Sequence, residues 1–326
     1  MSRTLEIELF ASISTGTPLG GAIAVATDGT HDSDGAVRLG VALAQRDGID
    51  AAFISVIEPM AFSQDDGSTP GDSERLTRLA IEGREGELAA QRARTFPGRP
   101  RWPYAIHVGD RAEEIAKYAR HHSAWFVVLG LGSHGVLARL LHRETALRVI
   151  RTSSMPVLAV PSDAVDLPRS AIVAVDFTTP SEDAARTAID VVGEHGTLYF
   201  AHVNPRIVIP QGDSRPWGEP AAADVLGRLQ AVARRLDIPK GVRVELVSLH
   251  GEPADELVAF AKEHRVEMIA TGAHGRSAIG RLVLGSVSTK VIRAAPCVVL
   301  VAPSPPRSPA GEEPAVAFQP EAQPIG

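Results

Sequence analysis

The chain has 326 residues, 44% of them hydrophobic and 22% charged, with a formal net charge of −6. That length accommodates two ordinary domains with full cores, and the composition is that of a soluble globular protein. Acidic and basic residues are interspersed, so no block of like charge offers a nucleic-acid surface. Cys297 is the single cysteine, which excludes an intramolecular disulfide and suits a reducing compartment. The opening Met1–Glu8 has no long apolar core behind a basic start, and no apolar run nears the roughly 20 residues that span a bilayer. The expectation is a cytoplasmic protein with no signal peptide and with neither a nucleic-acid nor a membrane partner.

Residues 1 to about 18 are polar and rich in Ser and Thr. A strand then reads Ala22–Ala26, followed by helical spacing over Asp34–Arg46 and a second strand at Ala51–Val56. A polar stretch, Glu58–Asp72, leads into a long amphipathic helix at Glu74–Arg94, rich in charged partners four residues apart. Tyr104–Val108 is a third strand, Ala112–His121 a helix, and Trp125–Leu129 a buried fourth strand. The half closes with a helix near Thr145–Arg151 and a strand at Val157–Val160.

The plan then repeats. Strands are expected at Ile172–Val175, Leu198–Val203 and Val242–Val247, and helices at Ser181–Val192, Ala221–Leu236 and Ala254–His264. A proline-bearing loop covers residues 204–220. Gly109/Gly251, Ala112/Ala254, His122/His264, Gly130/Gly272, Ile150/Ile292 and Pro161/Pro303 all lie 142 residues apart. One ungapped offset held over fifty-odd residues means two copies of one domain, at 19–162 and 168–304. Residues 305–326 are proline-rich with few large apolar groups and are expected to be a disordered tail. Strands alternating with helices imply right-handed parallel crossovers with helices on both faces of each sheet. Ligands of such sheets sit beyond the carboxyl ends of the strands.

One stretch organises the second copy. Met268–Thr271 reads as a buried strand ending in Gly272-Ala273-His274-Gly275, and nine residues later Gly285-Ser286 opens a periodic run. Glycines let backbone approach a bound group, Ser286 is a good N-cap residue, and a helix's first turn leaves amides unpaired. Two glycine bends beside a helix N-terminus suit a phosphate.

The spacing Gly-x2-Gly-x9-Gly-Ser, with the helix and strand beyond it to Val301, closely resembles the signature of the universal stress protein family. The resemblance covers nearly the whole chain, once in each half. It implies two tandem Rossmann-like (adenine-nucleotide α-hydrolase-like) α/β domains, each a five-stranded parallel sheet of order 3-2-1-4-5. It also implies a nucleotide site. Asp176, Phe177 and Thr178 would face the nucleoside, Val203 would line the base pocket, and Thr271, Gly272, His274 and Gly275 would hold the ribose and α-phosphate. Gly285, Ser286, Val287 and Ser288 would surround the outer phosphates. The implied ligand is ATP or another adenine nucleotide, with Mg2+ as an optional companion, and the implied function is regulatory. Family members commonly dimerise through the last strand, so Val157–Val160 and Val298–Ala302 are expected to pair the two halves as an internal pseudo-dimer. A homodimer of the whole chain is a further option.

The first copy departs from this signature. With the ungapped offset, Gly285-Ser286 becomes Arg143-Glu144; sliding the alignment to Gly132-Ser133-His134-Gly135 brings Thr145-Ala146 to the same place. Either way the third glycine is lost, and weak or no nucleotide binding is expected there. Gly130-Leu131-Gly132-Ser133-His134-Gly135 also spells a dinucleotide-type glycine pattern. It comes after the fourth strand rather than the first and lacks the acidic residue about 20 positions on. No phosphate loop of the Gly-x4-Gly-Lys-Ser/Thr type, metal-binding Cys/His cluster or nucleophile–base pair is legible. Two rivals to a binding protein stay open: a slow ATPase or autophosphorylating enzyme with Ser286 or Ser288 as acceptor, and a nucleotide-free interaction scaffold.

Overall fold

The computed structural model describes residues 21–59, 70–96, 104–132, 136–204, 222–273 and 284–303. The first half contains β1 (Ala22–Ala26), α1 (Asp34–Asp47), β2 (Asp50–Ile57), α2 (Pro70–Thr95), β3 (Tyr104–Val108), α3 (Arg111–His121), β4 (Ala124–Gly130), α4 (Val136–Thr152) and β5 (Val157–Val160). The second contains β6 (Ser170–Ala174), α5 (Thr179–Val192), β7 (Thr197–Asn204), α6 (Ala222–Arg234), β8 (Arg243–His250), α7 (Pro253–Glu263), β9 (Met268–Gly272), α8 (Ser286–Ala294) and β10 (Val298–Ala302). Every strand inferred from the sequence is present. The opening segment, the tail at 305–326 and the loop of 205–220 lie outside the described residues.

The helix expected near Thr145 is corrected: α4 begins at Val136. Arg143 and Glu144 therefore sit within a helix rather than in front of one.

The ten strands of the described residues form one sheet, in the order β3-β2-β1-β4-β5-β10-β9-β6-β7-β8. Counted within each half, that is 3-2-1-4-5. Every neighbouring pair is parallel except β5 and β10, which run antiparallel with Leu158 opposite Leu300 and Ala159 opposite Val299. Strands buried on both faces read as continuous apolar runs, which explains Val-Leu-Ala-Val at β5 and Val-Val-Leu-Val-Ala at β10.

Two apolar clusters arise from strand alternation, and each crosses the junction between the halves. Ile54, Val127, Ile172 and Val299 point to the face covered by α3, α4, α7 and α8. Phe53, Leu158, Phe200 and Leu300 point to the face covered by α1, α5 and α6. No helix among the described residues is long and apolar enough to cross a membrane.

The repeat extends to helix caps. Asp110 accepts from the amides of Ala112 and Glu113 at the start of α3, and Glu252 accepts from those of Ala254 and Asp255 at the start of α7. Each cap also meets a cation on the next helix: Arg148 of α4 pairs with Asp110, and Lys290 of α8 lies 2.8 Å from Glu252. The four residues obey the same 142-residue offset. Slight burial opposes ionisation of both carboxylates. The Glu113 amide and Arg148 outweigh it at Asp110, and Lys290 and the Asp255 amide outweigh it at Glu252, so both pKa values fall.

Leu158 and Leu300 are fully buried. Truncating either to Ala is expected to cost about 2–5 kcal/mol in a urea titration of the whole chain. The caps give a pH signature. Depressed folded-state values mean their stabilisation is present above the ordinary values of 3.8 and 4.5 and is lost as pH falls through the lower folded values. An Asp110→Asn/Glu252→Gln double variant should therefore lose stability near neutrality and show a shallower decline below about pH 4.5, read as urea midpoints across pH.

Candidate functional site

In the second half β6 and β9 are adjacent and parallel, with Ala171, Ile172 and Val173 opposite Met268, Ile269 and Ala270. The segments beyond their carboxyl ends, Asp176 to Thr178 and Gly272-Ala273, therefore lie side by side, at the end of the sheet where open parallel sheets bind ligands. The turn after β6 is held by Asp176, whose Oδ1 accepts from the Thr178 amide at 3.1 Å and from the Thr178 hydroxyl. Phe177 between them has φ of 63°, a left-handed conformation that costs a bulky residue roughly 1–3 kcal/mol. Its ring has two close neighbours: the His202 ring lies 4.7 Å away and the Arg228 guanidinium 3.7 Å from its centroid, over its face. His202 is fixed in turn by a 2.6 Å hydrogen bond between its Nδ1 and the Val175 carbonyl. Val203, half-buried, is its neighbour on β7.

The floor after β9 is built from small groups in close contact. A Cβ at Gly272 would come within 2.8 Å of the Pro180 backbone, so the first turn of α5 packs directly on this glycine. At Gly130, its counterpart, a Cβ would meet the Asp32 carbonyl oxygen at the same 2.8 Å. The glycine at this strand end thus serves close packing in both halves. Thr271 and Ser288 are buried; the Ser288 hydroxyl donates to the Gly272 carbonyl at 2.8 Å and lies 3.2 Å from the Thr271 hydroxyl. Ser288 is therefore engaged by the protein itself. The Gly285 amide donates to the Ala273 carbonyl at 2.8 Å, which ties the start of α8 back onto the β9 turn.

Among the described residues no side chain caps the N-terminus of α8. Gly285 occupies the N-cap with no side chain bonded there, Ser286 is exposed and Val287 half-exposed. No acidic residue lies in the first turn, and among the described residues no cap or carboxylate competes for its amides. Gly285 has an ordinary φ of −58°, so the backbone conformation does not itself demand glycine. His274 and Gly275 lie outside the described residues. The structure thus brings together Asp176, Phe177, Thr178, Thr271, Gly272, Gly285 and Ser286 around adjacent strand ends. His202 and Arg228 belong to the same neighbourhood and carry no short-range sequence signal.

The first half keeps the strand-end turn and changes the rest. Asp28 accepts from the Thr30 amide at 3.1 Å and hydroxyl at 2.7 Å, and Gly29, with φ of 78°, is left-handed like Phe177 in the second half. Gln91 of α2 is fully buried and bonds the Thr27 and Ser33 hydroxyls and the Asp34 carboxylate. At the place of Gly285-Ser286, α4 runs through, so its amides there are spent on intrahelical bonds. The side chains turn to the other half: Arg143 donates to the Arg293 carbonyl, and Arg293 reaches Glu144 at 2.7 Å.

Comparison with known proteins settles the family. The model of the Universal stress protein family matches residues 21–161 and again 169–303. The chain belongs to the universal stress protein family. Universal stress protein Rv2005c of Mycobacterium tuberculosis is 26% identical over 303 residues, covering 86% of this chain and 96% of its own. Universal stress protein MJ0531 of Methanocaldococcus jannaschii is 29% identical over 145 residues, which is 43% of this chain and 85% of that one. A universal stress protein of Archaeoglobus fulgidus shares the fold, with a TM-score of 0.58 and 22% identity over 86% of this chain and 96% of its own.

Two serines two residues apart in this universal stress protein should respond differently to truncation. Ser288→Ala removes a buried hydroxyl bonded to Gly272 and is expected to cost about 1–3 kcal/mol. Ser286→Ala, at an exposed position, should stay within about 0.5 kcal/mol of the parent in the same denaturation experiment.

Proposed function

We propose that this tandem universal stress protein binds ATP, or a closely related adenine nucleotide, in its second half, and that occupancy regulates which partner it engages. The observation that carries this reading is the contrast between α8 and α4. At the signature position α8 begins with a turn behind Gly285 that no described side chain caps, while α4 is continuous through Arg143 and Glu144. An uncapped helix start presents converging amides and a positive dipole end, which suits phosphate oxygens. The amides of Ser286 and Val287 would hold the outer phosphates, with the Ser286 hydroxyl beside them. The turn of Asp176–Thr178 and Val203 would face the nucleoside, and Mg2+ would supply charge neutralisation when it accompanies the phosphates. His274 and Gly275 complete the signature in sequence.

The expected stoichiometry is one binding site per chain. The joined β5·β10 sheet supports reading the chain as an internal pseudo-dimer in which one half holds nucleotide and the other does not. A turnover reading remains as the alternative. Ser288 is buried and bonded, so Ser286 is the acceptor to be tested if phosphate is transferred.

Mass spectrometry of small molecules released from the purified chain, followed by equilibrium dialysis with labelled ATP, tests the proposal. The expected result is one adenine nucleotide per chain, retained intact. Gly285→Val, which the backbone angle tolerates but which crowds the helix start, should weaken uptake at least tenfold with little change in melting temperature. Uptake unchanged by that substitution, or two nucleotides per chain, would overturn the assignment. Release of inorganic phosphate with label on Ser286 would favour turnover.

A further inference from the structure

Among the described residues β8 ends the sheet, with β7 on one side and no strand on the other. It is 8 residues long and contains neither proline nor lysine, two residues that blunt exposed edges. The opposite edge, β3, is only 5 residues long, and shortness is itself a blunting device. Hydrogen bonds to the β7 side fix which groups of β8 turn outward. The Arg243 amide donates to the Gly196 carbonyl at 2.8 Å, and the Gly251 amide to the Asn204 carbonyl at 2.9 Å. Successive residues of a strand turn their backbone groups to opposite sides, and the register between these points has no bulge. Arg243, Glu245, Val247 and Leu249 therefore address β7, while Val244 and Leu246 present N–H and C=O outward.

Side chains alternate between the two faces. Val244 and Leu246 pack against the cluster covered by α6, and Val247 and Leu249 against the one covered by α7. Arg243 and Glu245 share the α7 face, and both are exposed. Neither meets an opposite charge among the described residues. A second β8 laid antiparallel along this edge has one register that uses both features. With the two-fold axis through Val244, the Val244 residues of the two copies exchange reciprocal hydrogen bonds. On either side the Leu246 amide reaches the Val242 carbonyl of the other copy. Arg243 then stands opposite Glu245 of the other copy, twice by symmetry. Such a pair is of the non-hydrogen-bonded kind, in which facing side chains come closest, and opposite charges there attract. An axis through Leu246 would instead set Arg243 against Leu249 and Glu245 against Val247.

We propose that β8 is a self-association edge, on which a second copy of this chain adds its own β8 antiparallel about Val244. The reciprocal Arg243–Glu245 pairs select that register. The same patch serves both copies, so the contact closes at the dimer and does not propagate. It is a different surface from the β5·β10 contact, which is already spent inside the chain. Arg243 and Glu245 lie at the start of β8, away from the carboxyl ends of the strands, so the inference is independent of the nucleotide reading.

Analytical ultracentrifugation of the whole chain at neutral pH, over about 5–500 µM, tests it, with a dimer Kd expected on the order of 100 µM or tighter. Arg243→Glu and Glu245→Arg each bring like charges together and should weaken the dimer at least tenfold. The double variant Arg243→Glu/Glu245→Arg restores the opposite pairing and should return the Kd to within about threefold of the parent. Both positions are exposed, so the variants keep the fold, checked by an unchanged thermal melt. Hydrogen exchange should slow at the Val244 and Leu246 amides in concentrated solution and not in dilute solution. A monomer throughout the range, a dimer indifferent to both single reversals, or a double variant as weak as the singles would each overturn the proposal. So would amides of Val244 and Leu246 that exchange equally fast at both concentrations, or assembly that continues past the dimer.

Discussion

The antiparallel contact between β5 and β10 is the constraint on which the rest of the architecture depends. Each half alone would end in a short, flat, wholly apolar strand with its ladder groups unpaired, a template for uncontrolled association. Running Val157–Val160 against Val299–Val301 satisfies those groups once and merges two five-stranded sheets into one of ten. The same pairing carries both apolar clusters across the junction, so neither half owns a closed core. The edges that remain are β3 and β8, at opposite ends of the sheet.

Within that shared frame the two copies keep what supports the sheet and differ in what could hold a ligand. The cap carboxylates Asp110 and Glu252 and their partners Arg148 and Lys290 occupy equivalent places. The close approaches at Gly130 and Gly272 are equivalent too. The difference lies in one helix. Starting α8 at Gly285 leaves a first turn of amides without intrahelical partners; extending α4 back to Val136 places the equivalent amides inside a helix. Charge adapts to backbone. Arg143 and Glu144, at the positions equivalent to Gly285 and Ser286, bond Arg293 at the C-terminal end of α8.

Much of this was legible in the sequence, because apolar runs of strand length and the 142-residue offset survive without tertiary information. All ten strands and the family resemblance came from such local patterns. The start of α4 did not. Arg139, His142 and Arg143 interrupt the apolar period over its first turns, so periodicity alone reveals only the half of the helix beyond Glu144. Gly272 read as a glycine for ligand approach, but the first turn of α5 explains it as well, a contact between residues 92 apart that spacing cannot reveal. The contacts of Phe177 with His202 and Arg228 were hidden for the same reason, since three elements meet only after the sheet forms. Ser288 looked equivalent to Ser286 in a row of small polar residues. Helical rotation separates them, one toward β9 and one toward solvent.

The tie from Arg143 and Glu144 to Arg293 has a consequence for how the molecule responds as a whole. At one end α8 and α4 are joined by a charged and polar tie in addition to apolar contact, so a substitution at Arg293 reaches the helix of the other half. In a pair of identical copies such a latch would be duplicated by symmetry and both ends would report alike. Here the fused chain makes it single, because Gly285 and Ser286 stand where Arg143 and Glu144 stand in the other half.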